Sequence, residues 1–137
     1  MSDEKLRNKA QRWYTQARDD VEAAQALLSA RKYAQTCFYA QQAAEKGMKA
    51  VWFLLDLDPW GHSCARLIRD LPAATNEEFA KLLDTSLRLD KFYIPTRYPD
   101  ALPDLIPAEA FTLDEARSAI RSAEAVLKQV QKWGRFE

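Results

Sequence analysis

The chain has 137 residues, of which 47% are apolar and 29% are charged. This length suits one domain, residues 1–137, and the composition is typical of soluble globular proteins, which argues against a disordered or membrane-spanning chain. Its 20 basic and 20 acidic side chains cancel, so no overall field attracts nucleic acid or anionic lipid, and such a contact would require a local cluster.

The N-terminal segment and the cysteine content both favour a cytoplasmic location. The segment MSDEKLRNKAQR contains no apolar stretch of the kind that a secretory signal needs. Cys37 and Cys64 are too few for a disulfide framework and lack zinc-type spacing. Because His62 is the only histidine, we expect no metal centre, no cofactor and no serine–histidine–aspartate triad within one chain.

Two long helices are predicted in the first half of the chain. An apolar stripe that includes Trp13, Ala17 and Leu28 recurs at helical spacing and predicts a helix over residues 4–30. A second helix is predicted over residues 33–57, and its alanine-rich face would let a neighbouring helix approach closely. That face consists of Tyr33, Cys37, Ala40, Ala44, Met48, Val51 and Leu55.

Turns and shorter helices are predicted next. The proline and glycine of residues 58–61 mark a turn, after which His62 or Ser63 caps a short helix that ends near residue 70. The sequence TNEE at residues 75–78 is a capping box and predicts the start of another helix. The apolar face of that helix would hold Phe79, Leu82, Leu83, Ser86, Leu89 and Tyr93.

The C-terminal part is predicted to be a loop followed by a helix. Four prolines within residues 95–107 favour a loop. A second capping box, formed by Thr112 and Glu115, starts a last helix that ends at Gly134. Four long helices joined by short turns therefore predict an all-α fold, an antiparallel up-and-down bundle of four to five helices with a Pro-rich loop before the last one.

A more polar stripe lies opposite the alanine-rich face of the second helix, and it has two interpretations. It consists of Phe38, Gln42, Glu45, Lys49 and Trp52. One interpretation is a solvated face with i,i+4 pairs and two half-buried aromatic rings. The other is an oligomer interface or a ligand groove, for which Phe38, Gln42, Glu45 and Trp52 are the candidate contacts.

Two carboxylates fall within apolar stripes, where a charge is costly unless it is paired. Asp20 lies on the first helix and Asp90 on the predicted fourth helix. Lys46, Lys49 and Arg97 are the cations that bundle geometry brings nearest to them. We expect structural pairing between these groups.

Residues 93–100, YIPTRYPD, combine groups that suit a nucleotide. Arg97 offers a planar fork for phosphate, and Tyr93 and Tyr98 offer faces on which a base can stack. His62 precedes a predicted helix start, where backbone N–H groups attract an anion. In the alternative interpretation Arg97 pairs with a buried carboxylate, the tyrosines close the end of the bundle, and His62 is a cap or a surface residue.

Taken in order, these segments resemble the HEPN (higher eukaryotes and prokaryotes nucleotide-binding) family. The resemblance rests on W-x3-A-x2-DV-x2-A from Trp13, on CFYAQQAAEKGMKA at residues 37–50, on His62 with Ser63, and on residues 89–100. It covers most of the chain, and QQAxEKxxK and RYPD are its most specific blocks. It implies a helical bundle that forms a homodimer. It also implies a frequent partner, a minimal nucleotidyltransferase, in toxin–antitoxin or related modules.

Many HEPN toxins are metal-independent ribonucleases that carry an Arg-x4–6-His motif, and this chain departs from it. Positions 102–104 are Leu, Pro and Asp, no histidine follows Arg97, and His62 lies upstream. The resemblance therefore implies a non-catalytic member, with no catalytic residue, that binds a nucleotide or a nucleotidyltransferase. The expected nucleotide-binding residues are Lys46, Lys49, His62, Tyr93, Arg97 and Tyr98, with Asp20 and Asp90 positioning the cations.

Two alternative functions remain open at the level of sequence. The first is a ribonuclease in which His62 and Arg97 meet in three dimensions and cleave RNA. The second is a purely structural oligomer that uses the polar stripe as its interface. A separation of more than about 10 Å between His62 and Arg97 in every subunit pairing would argue against the ribonuclease, because no general base would reach a shared phosphate.

Overall fold

The computed structural model describes residues 2–137, and within that range it contains helices and no strand. Three helices are long, and the others are short. They are α1 (Asp3–Ser29), α2 (Tyr33–Leu54), α3 (Cys64–Arg69), α4 (Ala73–Phe79), α5 (Leu83–Asp90), α6 (Pro107–Ala110) and α7 (Leu113–Gly134). None of the helices in residues 2–137 is long and apolar enough to cross a membrane. The helical bundle expected from the sequence is confirmed.

Helix α2 lies at the centre of the bundle, where it packs along α1 and against α7. The middle of its alanine-rich face is buried as predicted, and Ala40, Ala44 and Met48 are fully covered. At Gly47 a Cβ atom would collide with the Leu127 side chain of α7, so any side chain there would force Leu127 to move. Small residues on α2 therefore let both long neighbours approach it closely.

The boundaries of the three long helices agree with the sequence to within three residues. The predicted capping box starts α7: the backbone N–H of Glu115 donates to Oγ1 of Thr112 (3.2 Å), and that of Thr112 donates to Oε1 of Glu115 (3.0 Å). Helix α7 ends at Gly134, as predicted. Helix α2 ends at Leu54 rather than at residue 57, because the chain turns at Asp56 with a φ of 58°.

The predicted helix start at residues 75–78 is wrong. Helix α4 begins at Ala73, directly after Pro72, and Thr75 lies buried inside the helix. A proline at a helix start lacks only an N–H group that would have no partner there, so it is an equally good start signal. Here the proline determines where α4 begins.

The predicted fourth long helix is also interrupted. A turn of 3₁₀-helix at Ala80–Leu82 separates α4 from α5, and α5 ends at Asp90, so Tyr93 lies beyond the helix. Both α4 and α5 pack against α7. The predicted core positions Phe79, Leu82, Ser86 and Leu89 are nevertheless buried.

Asp90 joins α5 to α3 through the backbone of α3. Its carboxylate accepts hydrogen bonds from the hydroxyl of Ser63 (2.7 Å) and from the N–H groups of Cys64 (2.7 Å) and Ala65 (3.0 Å). The predicted pairing of Asp90 with a lysine or with Arg97 is therefore wrong, and Asp90 does not position a cation. The first turn of a helix has N–H donors without intrahelical partners, and a carboxylate satisfies several at once.

We expect Asp90→Ala to lower the free energy of unfolding by about 2–3 kcal/mol, because it leaves three donors without their acceptor. Asp84→Ala, at an exposed position on the same helix, is the matched control and should cost less than about 1 kcal/mol. Urea unfolding followed by circular dichroism measures both. Equal losses in the two variants would contradict this role for Asp90.

Candidate functional site

The candidate site is built around Glu45, a carboxylate on α2 whose residue is only 3% exposed. Its Oε2 atom lies 3.2 Å from Nζ of Lys49 and 3.4 Å from Nδ1 of His62. Its Oε1 atom accepts from the side-chain amides of Gln41 (3.5 Å) and Gln42 (3.4 Å). A buried carboxylate is tolerated only when its charge is compensated in this way.

His62 is fixed by α2 through both its backbone and its ring. The side-chain amide of Gln41 donates to the carbonyl oxygen of His62 (2.9 Å), while Glu45 faces Nδ1. In the tautomer with its proton on Nδ1, His62 can donate to Glu45 through this nitrogen. Of the two predicted caps, Ser63 caps α3, and the His62 side chain stays 57% exposed.

Arg97 lies among three aromatic rings and pairs with no carboxylate within residues 2–137. Its Cζ atom is 4.7 Å from the ring centroid of Phe38, 4.5 Å from that of Tyr93 and 5.0 Å from that of Tyr98. Its Nε donates to the carbonyl oxygen of Tyr93 (2.8 Å). The predicted pairing with Asp20 or Asp90 is wrong, and the guanidinium keeps N–H donors for another acceptor.

Tyr93 brings His62 and Arg97 together. The rings of His62 and Tyr93 stack, with centroids 4.6 Å apart and an interplanar angle of 14°. Since Arg97 Cζ is 4.5 Å from the same Tyr93 centroid, the His62 ring centroid and Arg97 Cζ are at most 9.1 Å apart, the sum of the two distances. This lies inside the limit of about 10 Å set above for a shared phosphate.

Lys46 and Asp20 form a separate pair. Nζ of Lys46 is 2.5 Å from Oδ2 of Asp20, which confirms the predicted pairing of this buried carboxylate.

Lys46 also lines a groove of about 680 Å³ beside α1. The other side chains of that groove are Lys5, Asn8, Lys9, Arg12, Trp13 and Gln16. Lys49 lies between the two regions, because its Nζ contacts Glu45 and is 5.9 Å from the ring centroid of Trp13.

Intrachain contacts cover both ends of the polar stripe on α2. Nε1 of Trp52 donates to the carbonyl oxygen of Leu67 on α3 (2.9 Å), and Phe38 lies beneath Arg97 and beside Tyr93. These contacts account for the two aromatic rings without a second subunit. Phe38 and Glu45 were singled out from sequence as interface candidates, and their contacts with Arg97 and His62 were missed. The i,i+4 spacing of Gln41, Glu45 and Lys49 was the only signal.

The two cysteines are not nucleophile candidates. Burial raises the pKa of the Cys37 thiol and of the Cys64 thiol to about 12. Both thiols therefore stay protonated, and the thiol is a poor nucleophile. In the part of the chain that the structure describes, no three His, Cys, Asp or Glu side chains are grouped as metal ligands would be.

We expect Lys46→Met to lower the free energy of unfolding by about 2–4 kcal/mol, because it leaves the buried Asp20 carboxylate without its cation. Combining it with Asp20→Asn should recover part of that loss, with a coupling energy of about 1–3 kcal/mol. Urea unfolding of the wild type, both single variants and the double variant gives this cycle. Additive losses would show that the two side chains do not act as a pair.

Three solved structures are similar to this chain. TT1696 of Thermus thermophilus is 40% identical, with a TM-score of 0.86 over 91% of this chain and 98% of that one. ST0689, an archaeal HEPN homologue, is 32% identical, with a TM-score of 0.76 over 91% and 97%. The HEPN domain protein TM0613 of Thermotoga maritima is 28% identical, with a TM-score of 0.65 over 89% and 96%.

One relative by sequence carries a functional name. The protein named "Putative toxin MJ1304", from Methanocaldococcus jannaschii, is 25% identical over a match of 123 residues, and the match covers 84% of this chain and 81% of that protein. Residues 10–133 also match the HEPN domain family as a whole. The resemblance noted in the sequence is therefore confirmed, and the chain belongs to the HEPN domain family.

Proposed function

We propose that this domain is the HEPN component of a toxin–antitoxin-type module and binds a nucleotide at His62, Tyr93 and Arg97, without catalysing a reaction. The observation that carries the proposal is the environment of Arg97, a cation surrounded by aromatic rings and without a carboxylate partner within residues 2–137. The name of the Methanocaldococcus relative supports the type of module.

The position of Arg97 favours phosphate as the group that it binds. Contact with the rings of Phe38, Tyr93 and Tyr98 holds the guanidinium in place, and each such contact is worth about 0.5–1 kcal/mol at an exposed site. One of its five N–H donors is used by Tyr93, so a planar fork remains for two phosphate oxygens. Lys49 is less available than expected, because Glu45 neutralises it.

The roles of the tyrosines differ in this proposal from the roles inferred from sequence. The ring of Tyr93 is already in contact with His62, Phe38 and Arg97, so it supports the cation rather than a base. Tyr98 is 47% exposed and can still contact a ligand. Lys46 neutralises Asp20 and is therefore not part of the proposed phosphate site.

A homodimer and a nucleotidyltransferase partner belong to the same proposal. The segment that carries Arg97 and the loop after it expose apolar side chains, with Ile94 at 48%, Leu105 at 45% and Ile106 at 46%. Covering exposed apolar side chains with another protein is favourable, because it removes them from water. Association with a second copy or with the partner would cover these three.

We expect AMP to raise the melting temperature of the wild-type protein and to have little effect on Arg97→Ala. A ligand at a hundredfold excess over its Kd stabilises a protein by about 2.7 kcal/mol, which a thermal-shift assay detects. Arg97→Lys keeps the charge and loses the planar fork, so it should retain only part of the effect. Arg121→Ala, at an exposed position on α7, is the matched control. No shift of the wild type with AMP, ATP or GTP would refute nucleotide binding by the protein alone.

Ribonuclease activity is the second candidate, and the juxtaposition of His62 and Arg97 favours it. Nε2 of His62 would accept the proton of a ribose 2′-hydroxyl, with Nδ1 held by Glu45, and Arg97 would stabilise the charge on the phosphate. The groove beside α1 contains two further cations that RNA could contact, Lys5 and Arg12. Neither forms an ion pair within residues 2–137.

Incubation with a fluorescently labelled single-stranded RNA distinguishes the two candidates. The non-catalytic proposal predicts that the wild type and His62→Ala leave the RNA equally intact, without added metal. Cleavage that His62→Ala and Arg97→Ala each abolish, and that Arg121→Ala retains, would replace the nucleotide-binding proposal by the ribonuclease.

A further inference from the structure

A second cavity is lined by His62, by residues of the turn at 58–61 and by residues of α3. Its volume is about 390 Å³, which is within the range of small-ligand pockets. The side chains that bear on its chemistry are Trp52, Asp58, Trp60, His62, Arg66 and Asp70. Apart from His62, none of these residues takes part in the proposed phosphate site.

Trp60 is 80% exposed, more than any other large apolar side chain that lies on the surface of residues 2–137. The turn that presents it has Pro59 before the tryptophan and Gly61 after it, and Gly61 has a φ of 81°, which favours glycine. The lining also contains the half-buried Trp52, whose N–H group donates to the carbonyl oxygen of Leu67. The indole ring of Trp60 is therefore free to stack on a ligand, whereas that of Trp52 is held in place by its hydrogen bond.

The charges of the cavity do not favour a phosphate group. Asp70 pairs with Arg66 at 3.4 Å, and Asp58 adds a second carboxylate. A phosphate would therefore meet more carboxylates than guanidinium groups. A flat neutral ring with amino groups fits better, because it stacks on an indole while carboxylates accept from its N–H donors.

We infer that the cavity lined by Trp52 and Trp60 holds the base of a nucleotide, with Trp60 as its stacking partner. The inference rests on the proposed function for the position of the phosphate, which Arg97 binds. His62 lines the cavity and also stacks on Tyr93, the ring that contacts Arg97. A nucleotide that extends across His62 would thus place its base on one side and its phosphate on the other.

Isothermal titration calorimetry with AMP and with ribose 5-phosphate, which lacks the base, tests this arrangement. Trp60→Ala should weaken the binding of AMP roughly tenfold, the usual scale for loss of one stacked base, and leave ribose 5-phosphate unchanged. Trp60→Phe keeps an aromatic face and should retain most of the affinity for AMP. Arg97→Ala should weaken both ligands. Leu87→Ala, an exposed apolar position on α5 that has no part in either site, is the matched control.

Four results would overturn the inference. If Trp60→Ala binds AMP as the wild type does while Arg97→Ala does not, the base lies elsewhere and the phosphate site stands. If Trp60→Ala weakens AMP and ribose 5-phosphate equally, Trp60 supports the fold of the site and does not contact a base. If gel filtration shows that Trp60→Ala dissociates an oligomer, Trp60 is an interface residue. If the wild type binds neither ligand, the proposed function fails as well.

Discussion

The central position of α2 is the constraint on which the rest of this structure depends. Alanines and Gly47 let α1 and α7 approach it so closely that most of its faces are buried. A charged group on such a helix has to be neutralised within the chain, because an unpaired buried ion costs several kcal/mol. Glu45 therefore requires Lys49, His62 and the neighbouring glutamines, and their arrangement around it defines the site.

The same constraint explains why the cations of the chain have different roles. Lys46 and Lys49 lie on α2 itself and are used to neutralise Asp20 and Glu45. Arg97 lies in the loop after α5 and forms no ion pair with either carboxylate. Its guanidinium group contacts three aromatic rings instead. It keeps an uncompensated charge next to His62. An anionic ligand fits this position because the pairs on α2 leave no carboxylate there, among the residues that the structure describes.

Local sequence signals predicted the long helices, whereas contacts between distant segments could not be predicted from the sequence alone. The apolar periodicity of α1 and α2 and the capping box of α7 are properties of neighbouring residues, so they could be read directly. The box at residues 75–78 misled because Pro72, three positions earlier, is an equally good start signal, and α4 begins directly after it. Lys46 was one of three candidate partners for the buried carboxylates, and only the fold showed that it pairs with Asp20. Asp90 instead binds backbone donors of α3, which charge patterns do not reveal. His62, Tyr93 and Arg97 were identified as candidates, while Tyr93 as their common contact required the fold.

The central claim is that one ligand site lies where α2, the turn before α3 and the loop after α5 meet. Two-dimensional ¹H–¹⁵N NMR spectra recorded during a titration with AMP test it most directly. The account predicts that the amide signals that move belong mainly to residues 60–66 and 93–98. Shifts confined to the groove beside α1, or the absence of shifts at millimolar AMP, would contradict it.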